Sequence, residues 1–134
     1  MAYTGSGVVT SGFPLDDFTF TYLISGLADA AAVNAAPGKV VAIDTGAAAT
    51  VKLAGDGDEI FGRVRTAEDR DVLGIKTAAI ARKFKERVPA ATGHGIVVGD
   101  SVVGAGNGLV KKAAEANGTV VIETGTDYVV VEKL

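Results

Sequence analysis

The pair Asn107-Gly108, set between Ser101–Gly104 and Leu109–Lys112, constrains this chain more than any other feature. Both residues tolerate the positive φ that a two-residue hairpin turn requires, so Asn-Gly between apolar runs predicts a β-hairpin. Upstream, Gly99-Asp100 breaks the apolar run that starts at Ile96. The stretch Ile96–Lys112 therefore reads as strand, turn, strand, turn, strand, with Lys111 and Lys112 returning the chain to a polar exterior.

Turn signals recur along the chain at about the 8–12-residue spacing of an all-β sandwich or barrel. At 134 residues the chain is long enough for one domain with a real core. It is 48% hydrophobic with a mean hydropathy of +0.32, but it has no Trp, and much of the apolar content is Ala and Val. A core of small aliphatic residues suits thin β-layers, or a surface that buries more area by assembling. The absence of Cys excludes disulfides, thiolate metal sites and a thiol nucleophile. Oligomerisation is the expected source of robustness in their place.

Charge excludes further classes. Residues 1–38 hold no Lys or Arg and three acids, Asp16, Asp17 and Asp29. The remainder is balanced, and the whole carries a net charge of −3. There is no basic footprint for nucleic acid. No apolar run reaches the roughly 18 residues of a membrane span, and the N-terminus lacks a positively charged leader region, so neither a membrane partner nor ordinary secretion is expected.

Residues 1–13 (MAYTGSGVVTSGF) are small, polar and Gly-rich, the composition of an arm that is disordered or ordered only against a partner. Asp17–Ser25 then alternates with period two. Phe18, Phe20, Tyr22 and Ile24 fall on one face, and Asp17, Thr19 and Thr21 on the other, which predicts a half-buried strand. Gly26–Ala36 is Ala-rich, a single helical turn or an irregular link ended by Pro37-Gly38. Short strands follow at Lys39–Asp44, Thr50–Ala54 and Ile60–Arg65, where Gly62 predicts a bulge or a close backbone approach. Thr66–Val88 fits either a helix, with Thr66 and Asp69 as a capping pair, or two strands, Asp71–Lys76 and Ala79–Val88. In the second strand Ile80, Arg82, Phe84, Glu86 and Val88 would share one face, opposite Ala81, Lys83, Lys85 and Arg87. Pro89–Gly95 is a loop, and strands at Thr119–Glu123 and Tyr128–Leu134 close the chain.

Pro37–Arg65 (PGKVVAIDTGAAATVKLAGDGDEIFGRVR) resembles the bacteriophage capsid decoration, or cement, proteins. A Gly-Lys strand ends in Asp44. After a short turn come Val51-Lys52-Leu53-Ala54 and Gly55-Asp56-Gly57-Asp58, then Gly62-Arg63 and a strand. The second half is similar: Glu68-Asp69-Arg70 with Leu73-Gly74-Ile75, then Val98–Gly104, Leu109-Val110-Lys111 and Val129-Val130-Val131. The order and spacing over residues 33–134 carry the likeness, since each motif alone is only a turn and a strand. The resemblance implies strands rather than a helix over 66–88. It implies a homotrimer that binds the major capsid protein on the outer surface of the virion after synthesis in the host cytoplasm. It implies no enzyme activity, no cofactor and no metal.

The expected fold is thus all-β, a compact β-sandwich or barrel-like domain of short antiparallel strands with an extended N-terminal arm. Residues 1–32 form the arm and anchoring strand, and residues 33–134 the decoration-protein β-domain. Candidate capsid or subunit contacts are Tyr3 and Phe13 in the arm, Phe18, Phe20 and Tyr22 on the aromatic strand, and the basic cluster Arg82, Lys83, Lys85 and Arg87. The plainer readings of these residues are an ordinary core strand and a solvated strand face whose lysines block unwanted edge pairing.

Other chemistry finds no constellation. Asp56, Asp58 and Glu59 lack the ligand spacing of a calcium loop and read as a turn. His94, between two glycines, has no second His or Cys to work with. Gly104–Gly108 sits between strands, without the helix and Lys-Ser/Thr of a phosphate loop. The alternative function is a head-fibre or adhesin-type β-module binding a host-surface glycan, which clustered loop aromatics would favour. The aromatics here lie on a strand.

Overall fold

The structure, a computed structural model, describes residues 18–70 and 75–134. The expected arm with Tyr3 and Phe13, and the start of the expected strand Asp71–Lys76, lie outside the described residues. Among the described residues the chain is all-β apart from one short helix. In chain order the elements are β1 (Thr19–Ser25), α1 (Ala30–Ala35), β2 (Val40–Ile43), β3 (Thr50–Leu53), β4 (Gly62–Arg70), β5 (Ile75–Ala81), β6 (Phe84–Pro89), β7 (Val102–Gly106), β8 (Leu109–Lys112), β9 (Thr119–Thr124) and β10 (Tyr128–Lys133).

The first five strands close into a barrel in the order β1-β3-β2-β4-β5. A three-stranded sheet, β6-β10-β9, and the β7–β8 hairpin pack on it. The pairs are antiparallel except one: β1 runs parallel to β3, with Ile24 opposite Val51. The expected all-β domain of short antiparallel strands is present, with this one parallel pair within the barrel. Gly26–Ala49 carries α1 and β2, the intervening chain that a parallel pair needs. β1 also pairs with β5, Tyr22 opposite Ala78, so the strand grouped with the arm is an integral barrel strand.

β2 explains why two cores coexist. Val41 points into the barrel with Val51, Val64 and Ile80, while Val40 and Ala42 face the second layer. A strand buried on both faces reads as a continuous apolar run, as Val40–Ile43 does. The second core joins Val40 and Ala42 to Phe84, Val88, Val102, Val110, Val121, Val129 and Val131. The Ala-rich link does form a helix, capped by the Asp29 side chain, which accepts from Ala32 N–H at 2.9 Å.

Three boundaries differ from expectation. β4 runs on to Arg70 because Thr66–Arg70 pairs with Ile75–Ala79. That segment is polar and weakly β-prone, and cross-strand pairing outweighs its propensity. The expected strand Ala79–Val88 divides at Arg82-Lys83, where the chain leaves the barrel for the second sheet. Arg82 N–H donates to the Phe18 carbonyl at 2.7 Å at this corner. Ile96–Val98 is a turn, not a strand. Val97 N–H donates to the Asp100 carboxylate at 3.0 Å, and Gly99 N–H to the Val121 carbonyl at 2.8 Å, so this turn covers the edge of β9.

The hairpin at Asn107-Gly108 forms as the sequence predicts, with φ of 51° and 75° at its two turn residues. The expected close approach at Gly62 is also present. A Cβ there would overlap Ile80 Cγ2 and lie 2.7 Å from the Ala81 carbonyl oxygen.

Candidate functional site

The aromatic strand and the basic cluster meet where β5 turns into β6. Phe18 is half-buried just before β1, and the Lys83 ammonium lies 4.8 Å above its ring. Tyr22 meets Phe61 edge to face at 5.3 Å between centroids. The Arg82 guanidinium stacks over the Phe61 ring at 3.6 Å and donates through Nε to the Phe61 carbonyl at 2.8 Å. These geometries lie within the range of aromatic pairs and cation–π contacts. Phe18, Tyr22, Arg82 and Lys83 are thus engaged in building the corner.

Phe20 differs. It shares β1's inward parity with Tyr22 and Ile24, yet its side chain is 51% exposed while Ile24 is buried. The expected single aromatic face therefore splits into a packed half and an exposed tip. Leu23, of opposite parity, is 38% exposed. β1 accordingly offers large apolar side chains to solvent on both of its faces.

Among the four expected basic residues, Arg82, Lys83 and Arg87 lie over different rings. Arg82 and Phe84 were expected on one face, but the bend at Arg82-Lys83 resets the alternation. Lys85 and Arg87 are exposed on β6, as expected of a solvated face. Arg87 is further occupied, its guanidinium lying 3.9 Å above the Tyr128 ring. On the same outward face, Lys85 stands opposite Glu132 of β10, which stands opposite Val120 of β9.

Sequence reasoning missed the apolar part of this face. Val120 and Ile122 on β9 are exposed, and the adjoining turn adds Val97 and Val98, at 59% and 63% exposure. The signal was the unbroken run Val120-Val121-Ile122. Only Val121 is needed inside, so its neighbours must face outward.

Asp56, Asp58 and His94 are tied to neighbouring turns. Asp58 accepts from Gly55 N–H at 2.9 Å and closes its turn, and Asp56 lies 2.6 Å from the Lys111 ammonium. His94 accepts the Ile96 N–H at Nδ1 (2.9 Å) and donates from Nε2 to the Gly125 carbonyl (2.8 Å), which fixes its ring and tautomer. Among the described residues no helix is long and apolar enough to cross a membrane.

No protein-family model matches the chain, and no curated protein matches it in sequence. A cleft of about 390 Å³ opens where the barrel meets the three-stranded sheet, with Phe61, Arg82, Thr119 and Lys133 among its lining residues. Lys133 Nζ donates to the Arg82 carbonyl at 3.1 Å there. Burial, and then the charges of Arg82 and Lys83, push the Lys133 ammonium below the ordinary lysine range, against a smaller opposing effect of Glu59.

Proposed function

We propose that this chain is a structural virion protein that decorates and braces a phage head by binding the outer surface of the major capsid protein lattice, acting as a homotrimer. The observation that carries the reading is the ordered series of turn-and-strand motifs from Pro37 to Val131, whose order and spacing resemble those of capsid decoration proteins. The physical character of the molecule supports it. A doubly layered β-frame with cross-tied turns loses little conformational entropy on docking. Exposed apolar side chains on β1 (Phe20, Leu23) and on the outer sheet (Val120, Ile122) give it contact surface away from either core.

Such a protein needs no reactive group. It needs many weak, geometrically matched contacts, and a trimer multiplies their avidity without adding new ones. The test is binding of the full chain and of a chain lacking residues 1–13 to capsids stripped of this protein. The truncated chain is expected to stay folded and to bind more weakly. Unchanged binding would remove the arm from the interface. A folded full chain that fails to bind would shift the reading to a glycan-binding module.

A further inference from the structure

We propose that the cleft between Phe61 and Lys133 receives a carboxylate group, held by Arg82 and Lys133. The inference is independent of the capsid reading. Arg82 and Lys133 come from the β5–β6 corner and the end of β10, and both line the cleft. Among the described residues none of Arg82, Lys83 and Lys133 is in an ion pair. Lys133 spends one of its three donors on a backbone carbonyl, and Arg82 spends Nε on another. Two partly desolvated cations so placed, with a third nearby, gain more from an oxyanion than solvated surface lysines do.

The rest of the lining sets the ligand class. Phe61 and the 45%-exposed Ile43 give an apolar wall, and Asn117 and Thr119 a polar one. Two carboxylates also line the cleft. Asp58 is committed to Gly55 N–H and lies 3.7 Å from the Lys52 ammonium. Glu59 is exposed and its charge acts on Lys133, so it competes with any incoming anion. That competition favours a singly charged carboxylate over a dianionic phosphate. The carboxylate is either free or carried on an acidic peptide side chain.

The test is NMR titration of the full chain at constant ionic strength with acetate, and separately with a blocked Gly-Glu-Gly peptide. Saturable shifts at Arg82, Asn117 and Lys133 are expected. Lys133→Met should weaken binding about tenfold, the loss of one charged hydrogen bond. Glu59→Gln, at an exposed position that leaves the fold intact, should tighten it several-fold. Saturation by both ligands assigns the site to the carboxylate group itself, and saturation by the peptide alone to a partner-borne side chain. No saturable shift in either the parent chain or Glu59→Gln, or shifts that survive Lys133→Met unchanged, would overturn the proposal.

Discussion

Arg63 of the barrel holds the opposite sheet through Glu86. Its Nη1 lies 3.0 Å from the Glu86 carboxylate, and its Nε donates to the Arg87 carbonyl at 2.9 Å. The Arg63 side chain is only 16% exposed, and burial pushes its pKa down, with the Glu86 charge opposing. Arg63→Met leaves a carbonyl and a half-buried carboxylate without their partner, at a cost of about 2 kcal/mol. Denaturant unfolding of Arg63→Met, Glu86→Gln and the double variant checks this. The two changes should be non-additive, because each removes the same pair.

Gly62 is a close approach of backbone to its neighbours in the barrel wall. A methyl group there would overlap Ile80 Cγ2 and the Ala81 backbone. Gly62→Ala should cost about 1–3 kcal/mol of overpacking. Gly46→Ala is the matched control, since its Cβ would meet only the Asp44 carboxylate at 3.3 Å. Its cost should be smaller than that of Gly62→Ala, because a side-chain carboxylate held by Ser25 and the Gly46 N–H, rather than packed backbone, has to give way. Thermal unfolding of the two variants separates a packing role from a general effect of losing glycine.

Thr119 and Asn117 tie the hairpin to the outer sheet. The Thr119 hydroxyl accepts from Val102 N–H at 3.0 Å and donates to Asn117 Oδ1 at 2.6 Å, while Asn117 Nδ2 donates to the Val102 carbonyl at 2.8 Å. Thr119→Val keeps the shape and strands a buried N–H, so it should cost about 1–3 kcal/mol. Amide hydrogen exchange should accelerate at Val102 before it does so in the barrel strands. Equal acceleration in both would mean the knot is not local.

Ser25 donates to the Asp44 carboxylate at 2.6 Å, linking the end of β1 to the end of β2. That hydrogen bond and then the Gly46 N–H hold Asp44 below its ordinary value of 3.8 against the opposing effect of burial, with the Lys52 charge a weaker aid. A depressed folded-state pKa stabilises the fold above the ordinary aspartate range, and the contribution is lost as pH falls through the folded value. NMR titration should place the Asp44 midpoint below the ordinary value and move it upward in Ser25→Ala. The stability gap between the two chains should close under acid conditions. A midpoint unmoved by Ser25→Ala would contradict the assignment.

Much of this architecture was legible because turn chemistry is local. Asn107-Gly108, Pro37-Gly38 and Gly55–Asp58 mark their turns without reference to the rest of the fold, and strands β2, β3, β9 and β10 follow from the apolar runs between them. What was not legible depends on partners distant in sequence. Thr66–Arg70 becomes strand only because Ile75–Ala79 lies beside it. The parallel β1–β3 pair follows from barrel closure, which no local pattern encodes. The basic cluster looked continuous because four cations crowd into six residues, whereas a bend at Arg82-Lys83 sends them to different neighbours. Lys133 joined the cleft from the far end of the chain, where its sequence context is an ordinary polar strand end.

The most direct test of the proposed capsid role is co-sedimentation of the purified chain with phage capsids that lack it. Saturable binding is expected, at a copy number matching the trimer sites of the capsid lattice, together with raised resistance of the filled heads to heat. A well-folded chain that leaves the capsids bare at saturating concentration would contradict it.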